Sequence, residues 1–237
     1  MMKNALKEIK LGFQLLKYGF QVKANVVMVL MFCVLGIVME FATGGITMYG
    51  GMFILISGIV PMQMICSVGV SDLAKISSKR KKLETSVAIL STTMVTLIAY
   101  GMTLLVKGFF YMKNPGLGGL ISNQLFLTAI VGAIFLIYSG LVYKHFVISM
   151  IVLIVALMVI GAYSSLSMLI LNYDEEIAEI TMATKDAALG LPYGVSALLG
   201  IGIILLGGVV CWLLTKAFYK HEMSKMAFCA ALKKAKQ

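Results

Sequence analysis

The sequence predicts an all-α, polytopic membrane protein: six transmembrane helices preceded by an interfacial amphipathic helix, with both termini in the cytoplasm. Three observations carry this. Of 237 residues, 60% are hydrophobic and 13% charged, against about 45–50% and about 25% in soluble domains. A soluble chain of this size has too little interior for that apolar surface, so the excess faces lipid. The apolar residues also fall into six runs near the roughly 20 residues that one crossing takes. Lysine and arginine, finally, cluster on alternate connections.

The elements follow in order. Within residues 1–24, Leu6, Ile9, Phe13, Leu16 and Phe20 recur at steps of three and four, with Lys3, Lys7, Lys10, Gln14, Lys17 and Gln21 on the other face. That spacing predicts an amphipathic helix in the headgroup plane; the same heptads would also fit a coiled-coil seam. The six-helix domain, 25–217, has crossings expected at 26–43, 46–70, 86–106, 125–143, 146–171 and 193–215. Gly44 and Gly45 make the first pair a tight hairpin, and Lys144 and His145 do the same for the fourth and fifth. A basic tail, 218–237, ends the chain.

Orientation rests on the retention of positive loops in the cytoplasm. With the N-terminus inside, that side holds Lys3, Lys7, Lys10, Lys17, Lys23, Lys75, Lys79, Arg80, Lys81, Lys82, Lys144, Lys216, Lys220, Lys225, Lys233, Lys234 and Lys236. The other side keeps Lys107, Lys113 and Lys185, and its long loop, 172–192, is acidic.

The cytoplasmic loop 71–85 has a further pattern. Ser71 or Asp72 can cap a short helix on which Leu73 and Ile76 share one face while Lys75, Lys79 and Lys82 share another. The apolar face calls for a protein partner, whereas Lys79 to Lys82 alone need only anionic lipid.

Several function classes lack their sequence signatures. The chain has no G-x-x-x-x-G-K-[ST], H-E-x-x-H or G-x-S-x-G, so no nucleotide, zinc or serine-nucleophile site is expected. The net charge of +10 is spread over loops rather than gathered on one folded surface, which argues against nucleic acid. Cys33, Cys66, Cys211 and Cys229 have no metal-knuckle spacing. No removable signal peptide is recognisable in the first 25 residues. Glu40 is expected near the outer interface as a water-exposed acid, Glu84 and His145 at cytoplasmic edges, and the mid-membrane is expected to hold no ionisable group. Pro61 and Gln63 on the second crossing are, with Glu40, candidates for a gate or translocation path; the alternative for the Pro61 and Gln63 pair is a kink with helix-to-helix hydrogen bonding. Ser196, Gly200, Gly207 and Gly208 form a small-residue face for helix packing on the sixth crossing.

Six crossings, a leading amphipathic helix, a tight first outer hairpin, a basic amphipathic loop at Val70 to Thr85 and a long last outer loop together resemble the small permease subunits of type-two ABC exporters. The leading segment resembles their elbow helix and the loop their coupling helix. The resemblance spans nearly the whole chain in architecture and is thin in motif. It implies a transport subunit, not an enzyme, in a bacterial cytoplasmic membrane. It implies a second copy or a paralogous permease, and a separate cytosolic ABC ATPase that holds the ATP and Mg, with no cofactor in this chain. Asp72, Leu73, Lys75, Ile76 and Lys79 would couple to that ATPase. Gly44, Gly45 and the region from Ser164 to Pro192 would form the outer gate, and amphipathic peptides or other hydrophobic substrates would be the cargo. Two rivals remain: a membrane-embedded interaction or structural protein that docks a cytosolic partner through its basic loop, and a small ion-coupled carrier, which the uncharged mid-membrane disfavours.

Overall fold

The computed structural model describes residues 2–18, 22–69, 80–142, 144–172 and 191–219, and among these residues there is no strand. The leading helix α1 is Met2–Leu16, followed by α2, Val22–Thr43. The second crossing is split into α3, Tyr49–Ile56, a 3-10 turn, Ser57–Ile59, and α4, Val60–Gly69. The third is α5, Ala88–Lys113, entered through Arg80–Lys82 and a π-helical turn, Leu83–Val87. Then come α6, Gly118–Leu141, α7, Phe146–Asn172, and α8, Tyr193–Ala217. Six of these helical stretches are long and apolar enough to span a membrane.

Two boundaries differ from the sequence expectation. The third crossing runs on from 106 to Lys113, and the fourth starts at Gly118 instead of 125. The connection between them therefore shrinks to four residues, of which Pro115–Leu117 form a 3-10 turn. The apolar run that continues past Lys107 as Gly108, Phe109, Phe110 and Tyr111 keeps the helix going, and Pro115 with Gly116 turns the chain.

The bundle centres on α6, which is largely enclosed, while few residues of α2 and α7 are buried. The core gathers Ile54 and Leu55 of α3, Ala99 and Tyr100 of α5, Leu125, Ala129, Val131 and Phe135 of α6, and Ile204 of α8. Exposed Leu30, Val34, Val152, Val155, Met158 and Leu206 cover the outside, which suits lipid rather than water.

Glycines set the closest approaches. A Cβ at Gly207 would lie 2.8 Å from the Cβ and 2.9 Å from the Cα of Ala133. At Gly200 it would collide with the Tyr100 hydroxyl. The α2–α3 turn needs its glycines for a different reason: Gly44 and Gly45 have φ of 63° and 77°. The Gly45 N–H bonds to the Glu40 carbonyl and the Gly44 N–H to that of Phe41, the double closure of a Schellman cap.

Helix α1 packs its Gly12 side against the start of α5, where Gly12 meets Ser91, and adds Leu16 to a second cluster of Met62, Ile65, Cys66, Ala88, Ile89 and Cys211. Glu8 ion-pairs with Lys82 at 2.7 Å. Phe13 is 40% exposed, so the docked face lies roughly a quarter of a turn from the heptad stripe read in the sequence, and part of that stripe points away from the protein. Phe20, its last member, lies outside the described residues.

Candidate functional site

The site is built where three helices meet at the turn end of the α2–α3 hairpin. Glu40 sits in the last turn of α2 and Lys107 about 9 Å before the end of α5, taking 1.5 Å per residue. Both side chains are fully buried, and Lys107 Nζ lies 2.9 Å from Glu40 Oε2. The ammonium also donates to the carbonyl oxygens of Gly45 at 2.9 Å and Thr47 at 2.6 Å. Each of its three protons thus has an acceptor.

The second carboxylate oxygen is used as well. Glu40 Oε1 accepts the Gly51 N–H at 2.8 Å. Gly51 is in the first turn of α3, whose own flanking residue Met48 offers no side-chain cap. Glu40 therefore caps α3 from a neighbouring helix, with its negative charge at the positive end of the helix dipole. A Cβ at Gly50 would lie 2.5 Å from Glu40 Cγ, and one at Gly36 would lie 2.6 Å from the Gly50 carbonyl oxygen. These two glycines let α2 approach α3 closely enough for the carboxylate to reach. Beside it, Phe41 packs edge-on to Phe110, ring centres 5.2 Å apart.

This overturns two expectations. Glu40 is not a wet interfacial acid: its distance along the helix places it near the turn end as expected, but α3 and α5 cover it. Lys107 is not an outer-loop lysine. It is an internal counter-ion, so the bundle does hold buried ionisable groups, near one end and mutually neutralised. Such a pair is tolerated where every remaining donor and acceptor is satisfied.

The other sequence candidates lie elsewhere. Pro61 is buried in the first turn of α4, roughly 15 Å along the chain axis from Gly51. Lacking an N–H, it cannot bond the carbonyl of Ser57, and the Val60 N–H takes that carbonyl in the 3-10 turn. Gln63 is exposed on the outside of α4. Among the described residues no helix-to-helix hydrogen bond of its side chain is found. Ser196, Gly200, Gly207 and Gly208 are buried on α8, and a Cβ at Gly208 would meet Thr93 of α5 at 2.8 Å. Asp72, Leu73, Lys75, Ile76 and Lys79, with most of the proposed coupling loop, lie outside the described residues, as do 173–190 of the long outer loop.

At the opposite end of the bundle, Met62, Cys66, Glu84, Gly140, Lys144, Thr215 and Tyr219 line a cavity of about 30 Å³. That is room for water-sized groups only. Among the described residues no group of His, Cys, Asp or Glu is arranged to hold a metal ion, and Cys33, Cys66 and Cys211 are free thiols.

The fold and site together define a polytopic, all-helical chain of six helices long and apolar enough to span a membrane, pinned at one hairpin by a buried ion pair. No protein family, curated protein or solved structure matches it.

Proposed function

We infer that this chain is the transmembrane permease subunit of an ATP-driven exporter, working in a bacterial cytoplasmic membrane with a separate ABC ATPase and a second permease copy or paralogue. Amphipathic peptides or other hydrophobic molecules are its cargo. The observation that carries this reading is the clamp of α1 onto the helices that bracket residues 70–79. Helix α1 touches α4, which leads into that stretch, and α5, which leads out of it, and the Glu8–Lys82 pair ties it to the exit. A push on the stretch would reach two crossings and the leading helix together. The π-helical turn at Leu83–Val87 is the kind of helix irregularity often found at functional positions.

Ile76→Asp tests the coupling directly, because it puts a charge where an apolar contact with the ATPase is expected and leaves the six crossings unchanged. Copurification of the cognate ATPase from detergent should fall at least tenfold. Lys81→Gln should change it little, since Lys81 is an exposed side chain lying 5.5 Å from the Tyr219 ring centre, a contact worth about 0.5–1 kcal/mol. Full ATPase association by Ile76→Asp with loss by Lys81→Gln would mean that the loop acts through its charges, and would favour the interaction-protein reading.

The orientation that goes with this function keeps both termini in the cytoplasm. Removing Lys107 from the exposed outer charges supports it, since the outer side then keeps only Lys113 and Lys185 against seventeen basic residues inside. In a background lacking all four native cysteines, single cysteines placed at 174–186 should react with an impermeant maleimide added outside, and one at Lys81 should not. The opposite pattern would invert the topology.

A further inference from the structure

We propose that α2 and α3 form a hinged lid, held shut by the Glu40–Lys107 pair, in which α3 swings about the 3-10 break at Ser57–Ile59 and α2, a single unbroken helix, tilts with it as a rigid rod. The proposal does not depend on which partner or cargo the chain has.

The lid is one body. Gly36 and Gly50 bring the backbones of α2 and α3 against each other, and Glu40 caps α3 from α2. Gly44 and Gly45 close the turn between them. At its lower boundary the regular helix is interrupted by the 3-10 turn that Pro61 imposes. Breaks of this kind absorb backbone rotation with little loss of hydrogen bonding.

The hydroxyls in the seam under the lid bond within their own helices and not across it. Gly51 rests on Thr103 and Thr128, and Gly58 on Thr96. Each of these hydroxyls is used within its own helix: Thr96 donates to the Thr92 carbonyl, Thr103 to Ala99 and Thr128 to Gln124. Ser57 likewise donates to Ile54. Parting the seam leaves all four satisfied. Between the lid and the rest of the bundle the described side-chain bonds are those of Lys107, to Glu40, Gly45 and Thr47, and a long, exposed contact of the Tyr49 hydroxyl with that of Ser165 at 3.5 Å, which water can replace.

The apolar part of the seam opposes opening less than it would in water. Ile54 and Leu55 are fully buried against the bundle, but acyl chains are as apolar as leucine, so exposing them to lipid forfeits packing and not the hydrophobic effect. Separating a buried carboxylate from its ammonium has no such substitute in hydrocarbon. The charge cluster is thus the latch, and the 3-10 turn the hinge.

The test uses the full chain in lipid nanodiscs with spin-label pairs at exposed positions. Val38 on the lid and Met112 on α5 report on the turn end; Gln63 on α4 and Met94 on α5 report below the hinge. The double variant Glu40→Gln/Lys107→Met removes both charges without orphaning either. In it the Val38–Met112 distance distribution should gain a longer component, while the Gln63–Met94 distribution stays as in the parent. No change at the turn end, or an equal change at both pairs, would overturn the lid. Should the double variant fail to accumulate, hydrogen exchange of the unmodified chain decides. Amides of 49–56 should exchange about tenfold faster than those of 62–66, as a separate cooperative unit, and equal protection on both sides of the break would overturn the hinge.

Discussion

Lys107→Met should destabilise the protein by about 3–5 kcal/mol, the cost of removing one member of a buried pair and leaving the other charge uncompensated. Three acceptors lose their donor together: the Glu40 carboxylate and the carbonyls of Gly45 and Thr47. The carboxylate then has the Gly51 N–H as its one described partner, deep in a site with no access to water. Glu40→Gln should cost less, because a glutamine oxygen can still accept from Gly51 or from Lys107, and the ammonium keeps its two carbonyls. Combining the two changes should recover part of the Lys107→Met loss, with a coupling of about 0.5–3 kcal/mol. Lys113→Met is the control. It removes a lysine from the exposed end of the same helix and should stay within about 0.5 kcal/mol of the parent. The measurement is the midpoint of thermal loss of the monodisperse peak in detergent. Equal midpoints for Lys107→Met and Lys113→Met would mean that the pair contributes nothing to the fold.

How much of this is legible in the sequence depends on the kind of signal. The six crossings and the hairpin at Gly44 and Gly45 follow from hydropathy and from glycine's access to positive φ, both local properties. The site is not local. Glu40 and Lys107 are 67 positions apart, and neither helix records the other's charge. One clue is available: Lys107 is flanked by Leu104, Leu105 and Val106 before it and Gly108, Phe109 and Phe110 after it. A helix that stays apolar on both sides of a lysine has not yet reached water. Gly36, four residues before Glu40, and Gly50 and Gly51 after the turn are a second clue that α2 and α3 touch on the side that carries the carboxylate. Reading each charge by its distance from a predicted end, and not by the face it shares, puts both in water.

The same distinction explains α1 and the 3-10 break. The heptad stripe Leu6, Ile9, Phe13 and Leu16 correctly marks an amphipathic helix, but Gly12, which contributes nothing to a hydropathy pattern, is what lets α1 dock against Ser91. Pro61 announces a disturbed backbone, and its consequence lies four residues upstream at Ser57, as the missing N–H requires. Gln63 pairs with Pro61 in a sequence reading because the two are close along the chain. Two residues on a helix lie about 200° apart, and here one is buried and the other exposed.

Gly207→Leu should detach α8 from the bundle. Helix association in lipid relies on close packing between small surfaces, and α8 lies on α6 along its most extensive interface. A Cβ at position 207 would be 2.9 Å from the Cα of Ala133 and 3.3 Å from its carbonyl oxygen. Backbone cannot step aside as a side-chain tip can, so the two helices must separate along their length. The cost should reach or exceed the roughly 1–3 kcal/mol usual for overpacking. Gly202→Leu adds the same side chain about 1.4 turns away, where a Cβ would meet no atom of another helix within 4 Å, and should accumulate like the parent. Gly207→Ala should fall between them. Shortening its neighbour in Gly207→Ala/Ala133→Gly should restore part of the loss, because the clash with the Ala133 methyl at 2.8 Å disappears while that with the backbone of residue 133 remains. Protease resistance of the detergent-extracted protein gives the order of the four variants. If Gly207→Leu resisted as well as Gly202→Leu, the backbones of α6 and α8 would not meet at this point, and the centre of the bundle would have to be rebuilt.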